Sequence, residues 1–124
     1  MNKPFPVCLY LAVAALLGAC ATTDTVAPEA QLAAARAAIS VAESAGALTS
    51  APVELLAARE KLGKSEAAVA EVRFTAARLL AEESEADAVL AERKARAAKA
   101  QTAAEEMARS NEVLRSEAER KSRP

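Results

Sequence analysis

The chain has 124 residues and 16 Lys and Arg against 17 Asp and Glu, which bounds it to one small domain and argues against a nucleic-acid binder. It contains no His and no Trp and only two Cys, which excludes His-based metal sites, His-based triads and a disulfide-stapled scaffold. Apolar residues make up 52%, yet 35 residues are alanine and only 2% are aromatic, so most of the apolar content is methyl groups that bury little area each.

The chain opens with Met1-Asn2-Lys3, one positive charge, followed by an uncharged run from Val7 to Leu17 and then Gly18-Ala19-Cys20. A short basic start, an apolar stretch and small residues at its exit are the marks of a secretory signal. The stretch falls short of the roughly 20 residues that a spanning helix needs, and Pro4 and Pro6 stand at its start. Leu17-Gly18-Ala19-Cys20 resembles the lipobox of bacterial lipoproteins: an aliphatic residue, two small residues and a cysteine. The resemblance implies signal-peptidase recognition through Leu17, Gly18 and Ala19, cleavage before Cys20, and an acyl lipid on the Cys20 sulfur. That covalent lipid is the one non-protein group expected, with no other cofactor. Two or three acyl chains give stable membrane anchoring where one is marginal. Ala21 follows the cysteine. In the enterobacterial sorting pattern Asp at that place retains a lipoprotein in the inner membrane, so Ala21 resembles an outer-membrane address, on the periplasmic face. Residues 1–19 are thus expected to be a signal peptide, with Cys8 leaving inside it. Residues 20–27 form a small polar tether.

An α-helix is predicted from about Pro28 to Ala45. Pro28 is an early helical residue, Glu29 favours the positive helix end, and Leu32, Ala35, Ile39 and Ala42 make one apolar stripe. Gly46 is its stop. After the short link Ala47-Leu48-Thr49-Ser50, Ser50 is placed as an N-cap and Pro52 in the first turn of a second helix. The seam of that helix reads Leu55, Ala58, Leu62, Ser65, Val69 and Val72, at heptad spacing. A link this short favours antiparallel neighbours, and Gly63 is assigned to a close approach between backbones. Beyond Val72 two readings stand. The heptad count continues through Ala76, Leu79, Ala86 and Leu90 as one very long helix. Alternatively, a tight turn around Glu71-Val72-Arg73-Phe74 starts a third helix, whose stripe is Ala77, Leu80, Ala81, Ala88 and Ala91 and whose Phe74 folds onto the first two.

Residues 28–97 resemble domain-of-unknown-function family 4398, found in small envelope lipoproteins of Gram-negative bacteria. The matching stretches are Ala34-Ala35-Arg36-Ala37-Ala38-Ile39, Ala45-Gly46-Ala47, Ala51-Pro52-Val53-Glu54-Leu55, Ala58-Arg59-Glu60-Lys61-Leu62, Ala76-Ala77-Arg78-Leu79-Leu80-Ala81-Glu82-Glu83 and Glu85-Ala86-Asp87-Ala88-Val89-Leu90-Ala91. The family places a Gly-Asp-aromatic turn before its third helix. Here Val72-Arg73-Phe74 holds that place without the glycine, and the resemblance tips the balance toward the turn. The expected fold is all-α: an antiparallel alanine-rich hairpin or three-helix arrangement over 28–97, with a charged helical extension over 98–124. The family has no established activity and carries no functional residue over.

From Glu92 to Pro124 there are nine basic and six acidic residues, a net +3, against a net −5 over residues 20–91. Glu92/Arg96, Glu105/Arg109, Glu117/Lys121 and Glu119/Arg123 are i,i+4 pairs in the favourable orientation. A helix from Phe74 to Lys121 spans about 70 Å at 1.5 Å per residue, so its outer half stands alone in water or pairs with another chain. The basic cluster Arg93, Lys94, Arg96 and Lys99 is either a contact for anionic envelope polymer such as peptidoglycan or a solvated helix face. No aromatic interleaves it, so base stacking is unsupported. Glu82, Glu83, Glu85 and Asp87 read as solvated charge pointing around the helix, and Lys61, Lys64 and Ser65 as helix surface rather than a catalytic Ser–Lys pair. Lys121 is internal and Pro124 terminal, which argues against covalent tethering to peptidoglycan of the kind made through a C-terminal lysine. The sequence therefore predicts a non-enzymatic, lipid-anchored scaffold of the cell envelope acting through helix–helix contact, as a homo-oligomer or with an envelope protein. The alternative is an adaptor that binds peptidoglycan or a protein complex through the basic arm.

Overall fold

Ala27 and Pro28 open the first helix, α1 (Glu29–Ala45), with Glu29 in its first turn and Leu32, Ala35, Ile39 and Ala42 buried. The computed structural model describes residues 26–123. The expected leader and lipobox, Leu17, Gly18, Ala19 and Cys20 included, lie outside the described residues. Gly46 ends α1 in the left-handed region, φ 95°, a conformation that glycine adopts without steric cost. The link is not a plain connection. Ala47–Ser50 forms a single helical turn, α2, with Ala47 buried. Ser50 is therefore not the cap expected of it: Ala51 occupies the N-cap of α3 (Pro52–Ala70) without a side-chain cap bond, and Pro52 sits in the first turn.

Of the two readings beyond Val72, the turn is the one observed. α3 ends in a backbone arrangement that closes its last carbonyls: Arg73 N–H donates to the Ala68 carbonyl at 2.8 Å and Val72 N–H to the Val69 carbonyl at 2.9 Å. This is the Schellman pattern, which needs a left-handed residue after the helix end. Val72 supplies it, at φ 57°, in the place where the family resemblance expects glycine. α4 (Phe74–Ser122) then runs for 49 residues, about 73 Å at the α-helical rise. No strand occurs among the described residues.

α1, α3 and the first half of α4 form a three-helix bundle, each antiparallel to the next in sequence, so that α1 and α4 run parallel. α4 packs against both α3 and α1 more extensively than those two pack on each other. The core is thin. Of the buried apolar residues only Leu32, Ile39 and Leu55 are larger than alanine. The stripe expected for the third helix is observed, with Ala77, Ala81, Ala88 and Ala91 buried, joined by Ser84 and Ala95. Leu80 lies at its half-buried edge. On α3, Leu55, Ala58 and Ser65 are buried as expected. Ala68 takes the place assigned to Val69, and Val72 is exposed in the turn. Phe74 is half-buried. The expectation for Gly63 is also overturned: a Cβ there would have nothing within 4 Å, so this glycine faces open space and serves no close approach.

The last buried residue of α4 is Ala95, and every residue from Arg96 to Arg123 is exposed. The distal half of α4 is a free-standing arm. α1 begins beside the start of α4, so the N-terminal entry to the bundle is at the end opposite the arm.

Candidate functional site

The seam between α3 and α4 is closed by two serines of opposite origin. Ser65 Oγ, on α3, donates to the Ala77 carbonyl of α4 at 2.6 Å, and Ser84 Oγ, on α4, donates to the Ala58 carbonyl of α3 at 2.7 Å. Both serines are fully buried. A hydroxyl inside an apolar seam is costly unless bonded, and each bond reaches a backbone atom only because alanine lines both helices there. Of the two expectations for Ser65, the seam position is the one observed and the helix surface is not; nor is Ser65 available as a nucleophile, since its proton is committed to a carbonyl. Sequence reasoning missed Ser84. Its signal was present: it occupies a seam position, three residues after Ala81 and four before Ala88.

The acidic cluster also departs from expectation. Asp87 turns inward along the edge of the seam, where its Oδ2 is out of water, and Lys61 of α3 stands 2.8 Å from that atom and 3.3 Å from Glu83 Oε2. The distance makes an ion pair, although no hydrogen bond aligned to Asp87 Oδ2 accompanies it. Asp87 first and Glu83 second hold the Lys61 ammonium above the ordinary lysine range. Glu82 pairs along its own helix with Arg78 at 3.9 Å. Two further links, Arg36–Glu66 at 2.7 Å and Glu43–Arg59 at 2.6 Å, join α1 to α3 and set these helices antiparallel. Among the described residues no group of acidic or thiol side chains is arranged to hold a metal ion.

The basic cluster is divided by the fold. Lys94 forms an ion pair with Glu54 of α3, and its hydrogen bond holds the Glu54 carboxyl below the ordinary range. Arg96 pairs with Glu92 at 2.6 Å, one turn back. Lys99 lies over Gly46, where an added Cβ would stand 3.4 Å from its Cε and 3.6 Å from its Nζ. A cation there faces the negative end of α1. Arg93 is exposed and lines a shallow open dent with Glu92 and Arg96. The four cations therefore do not converge on one face. Lys94 and Lys99 are turned to the bundle, and Arg93 and Arg96 point to solvent. Of the i,i+4 pairs expected on the arm, Glu105–Arg109 is present at 3.9 Å, while Glu117 takes Arg120 at 3.2 Å.

What the arrangement offers is length and surface. No helix of the described residues is long and apolar enough to cross a membrane. The arm carries Met107, Val113 and Leu114, each at least 60% exposed. The family model described as Domain of unknown function (DUF4398) matches residues 30–107. That range takes in the three-helix bundle and the first turns of the arm. No curated protein and no solved structure matches the chain.

Proposed function

We propose, from the premise that the chain belongs to the DUF4398 family, that it is a non-enzymatic scaffold of the Gram-negative cell envelope, lipid-anchored at Cys20 on the periplasmic face of the outer membrane and working through helix–helix contacts of its arm. The observation that carries this is the exposure of every residue from Arg96 to Arg123 on a helix continuous with the bundle. An alanine-rich helix that only closed a three-helix core would end near Ala95. This one runs on for more than seven turns.

Two further points support the reading. The lipobox-like Leu17-Gly18-Ala19-Cys20 leads into the bundle at the end opposite the arm, so acyl chains on Cys20 would hold the base of the bundle at a bilayer. The polar groups inside the bundle are committed to one another, Ser65 and Ser84 to backbone carbonyls and Lys61 to Asp87. The geometry favours the arm over the basic cluster as the contact, because Lys94 and Arg96 already hold carboxylates of their own chain. The anchor is tested by Cys20→Ser, which is expected to release the protein from detergent-extractable membranes and to remove the mass of the acyl chains. The scaffold is tested by crosslinking in intact cells from photoreactive residues placed along the arm. Products with an envelope protein or with a second copy support it. Their absence from arm positions, with products from the bundle instead, overturns it.

A further inference from the structure

Along α4 the apolar surface changes sides. At about 100° per residue, the buried residues Ala77, Ala81, Ser84, Ala88, Ala91 and Ala95 fall on one line, facing α1 and α3. Continued past Ala95, that line reads Lys99, Thr102, Glu106, Arg109 and Val113; it turns polar at all but Val113 where the neighbouring helices stop. The opposite side does the reverse. Leu90, Ala97, Ala100, Ala104, Met107 and Leu114 follow one another at steps of three, four and seven, with Arg93 and Asn111 inside the two steps of seven, the spacing of a heptad seam. Leu90, Met107 and Leu114 on that stripe are 47%, 70% and 64% exposed. Among the described residues nothing covers it, and the bundle, being on the other side of α4, does not obstruct it.

We infer that a second copy of this chain covers the outer stripe, the two α4 helices running antiparallel with their twofold axis between Glu105 and Glu106. In its central layers this register sets a large residue on a small one: Met107 on the partner's Ala104, Leu114 on the partner's Ala97, and Asn111 on the partner's Ala100; further out Arg93 faces the partner's Ala118 and Leu90 the partner's Lys121. Alternation of this kind fills a seam without overpacking. The charges at its edges also agree. Arg96 of each copy stands beside the partner's Glu117, giving two symmetric pairs. Both residues now pair only along their own helix, with Glu92 and Arg120, and can exchange those partners. Arg115 meets the partner's Lys94, whose charge Glu54 already offsets. The parallel in-register alternative places Glu83 against Glu83 and Arg93 against Arg93 in the seam, like charges facing at close range, which is destabilising. The overlap from Leu90 to Lys121 is about 45 Å long. The inference names the partner that the scaffold reading leaves open, and it fails or stands separately from that reading.

The experiment uses residues 26–124, which hold every described helix and neither cysteine. Sedimentation equilibrium at micromolar concentration is expected to give a dimer. Met107→Glu with Leu114→Glu is expected to weaken it by well over about tenfold, since both substitutions place charge in the apolar seam, with unchanged helical content and melting of the bundle. Val113→Glu, five turns beyond Ala95 on the polar side, is expected to leave the dimer intact. Arg96→Glu and Glu117→Arg each weaken association and together restore it. In an oxidised mixture, Leu90→Cys and Lys121→Cys chains crosslink to each other and neither crosslinks to itself. A monomeric wild type, a dimer indifferent to Met107 and Leu114, or Leu90→Cys chains that crosslink to themselves would each overturn the inference. The scaffold reading would then still be decided by the crosslinking in cells.

Discussion

The two halves of α4 are one unbroken helix with opposite designs. From Phe74 to Ala95 the face toward α1 and α3 is built of Ala and Ser and is fully buried. From Arg96 onward the same face carries Thr102, Glu106 and Arg109, and the whole surface is exposed. The first half owes its place to tertiary contact, the second to alanine's helix propensity and to pairs such as Glu105–Arg109 along its own surface. The difference teaches that helix length in this chain is set locally, whereas packing is set by which side holds the small residues.

Equal substitutions in the two halves should therefore behave unequally, and the largest gap is expected for added bulk. Ala88 is fully buried where α4 meets the other helices. Ala88→Leu forces the backbones apart and is expected to cost about 3 kcal/mol, lowering the melting temperature by roughly 15 °C. Thr102→Leu, on the same face fourteen residues further on, should leave melting unchanged to within about 0.5 kcal/mol. Circular dichroism melts of the two variants check the pair. If Ala88→Leu melts like wild type, α4 does not approach α3 and α1 as closely as the serine bonds require. A smaller gap is expected for missing hydroxyls. Ser84→Ala removes an interhelical bond and should cost about 1 kcal/mol, whereas Ser116→Ala, bonded only to its own helix, should cost close to nothing.

How much of this was legible follows from the same contrast. The stripes of α1 and α4 were readable because periodicity records which side is buried: Leu32, Ala35, Ile39 and Ala42, then Ala77, Ala81, Ala88 and Ala91. The turn at Val72 was not decidable from local signals, since a valine at positive φ gives no glycine-like mark and the heptad count ran straight through it. That count was following a different surface. Leu79 and Leu90 lie on the outer side of α4 and are exposed. Gly63 was misread because a glycine in a helix signals close approach or mere tolerance equally well. The site was less legible than the fold. Asp87 and Lys61 meet across 26 positions, and Glu54 and Lys94 across 40, separations that no local pattern encodes.

Two residues of the bundle weaken their own helix or turn, Val72 by its backbone conformation and Gly63 by its place inside α3, and both can be relieved. Val72 holds a left-handed conformation that costs a branched residue about 1 kcal/mol or more. Val72→Gly should recover most of that, less what the freer unfolded chain takes back. Gly63→Ala meets open space and should add just under about 1 kcal/mol. Each is expected to raise the melting temperature. Should Val72→Gly lower it, the conformational freedom that glycine adds to the unfolded chain outweighs the strain relieved in the turn.

The smallest expected effects separate the halves by pH. The Lys61 ammonium is held above its ordinary range by Asp87 and Glu83, so the folded state binds its proton more tightly than the unfolded chain does. That contribution is complete below the ordinary lysine range, near 10.4, and fades as pH rises through the higher folded value. The Glu54 carboxyl is held below its ordinary range by Lys94. Its contribution is complete above about 4.3 and fades as pH falls through the lower folded value. Both pairs tie α3 to the first half of α4, so the bundle should melt at its highest temperature between these limits. Lys61→Met should flatten the alkaline side of that profile and Glu54→Gln the acidic side, each slightly, because the groups remain in reach of solvent. Beyond Lys99 the hydrogen bonds and ion pairs of the arm stay within α4, and its alkaline response should be the same in wild type and Lys61→Met. An equal loss of arm helicity in that variant would mean that the two halves of α4 melt as one unit.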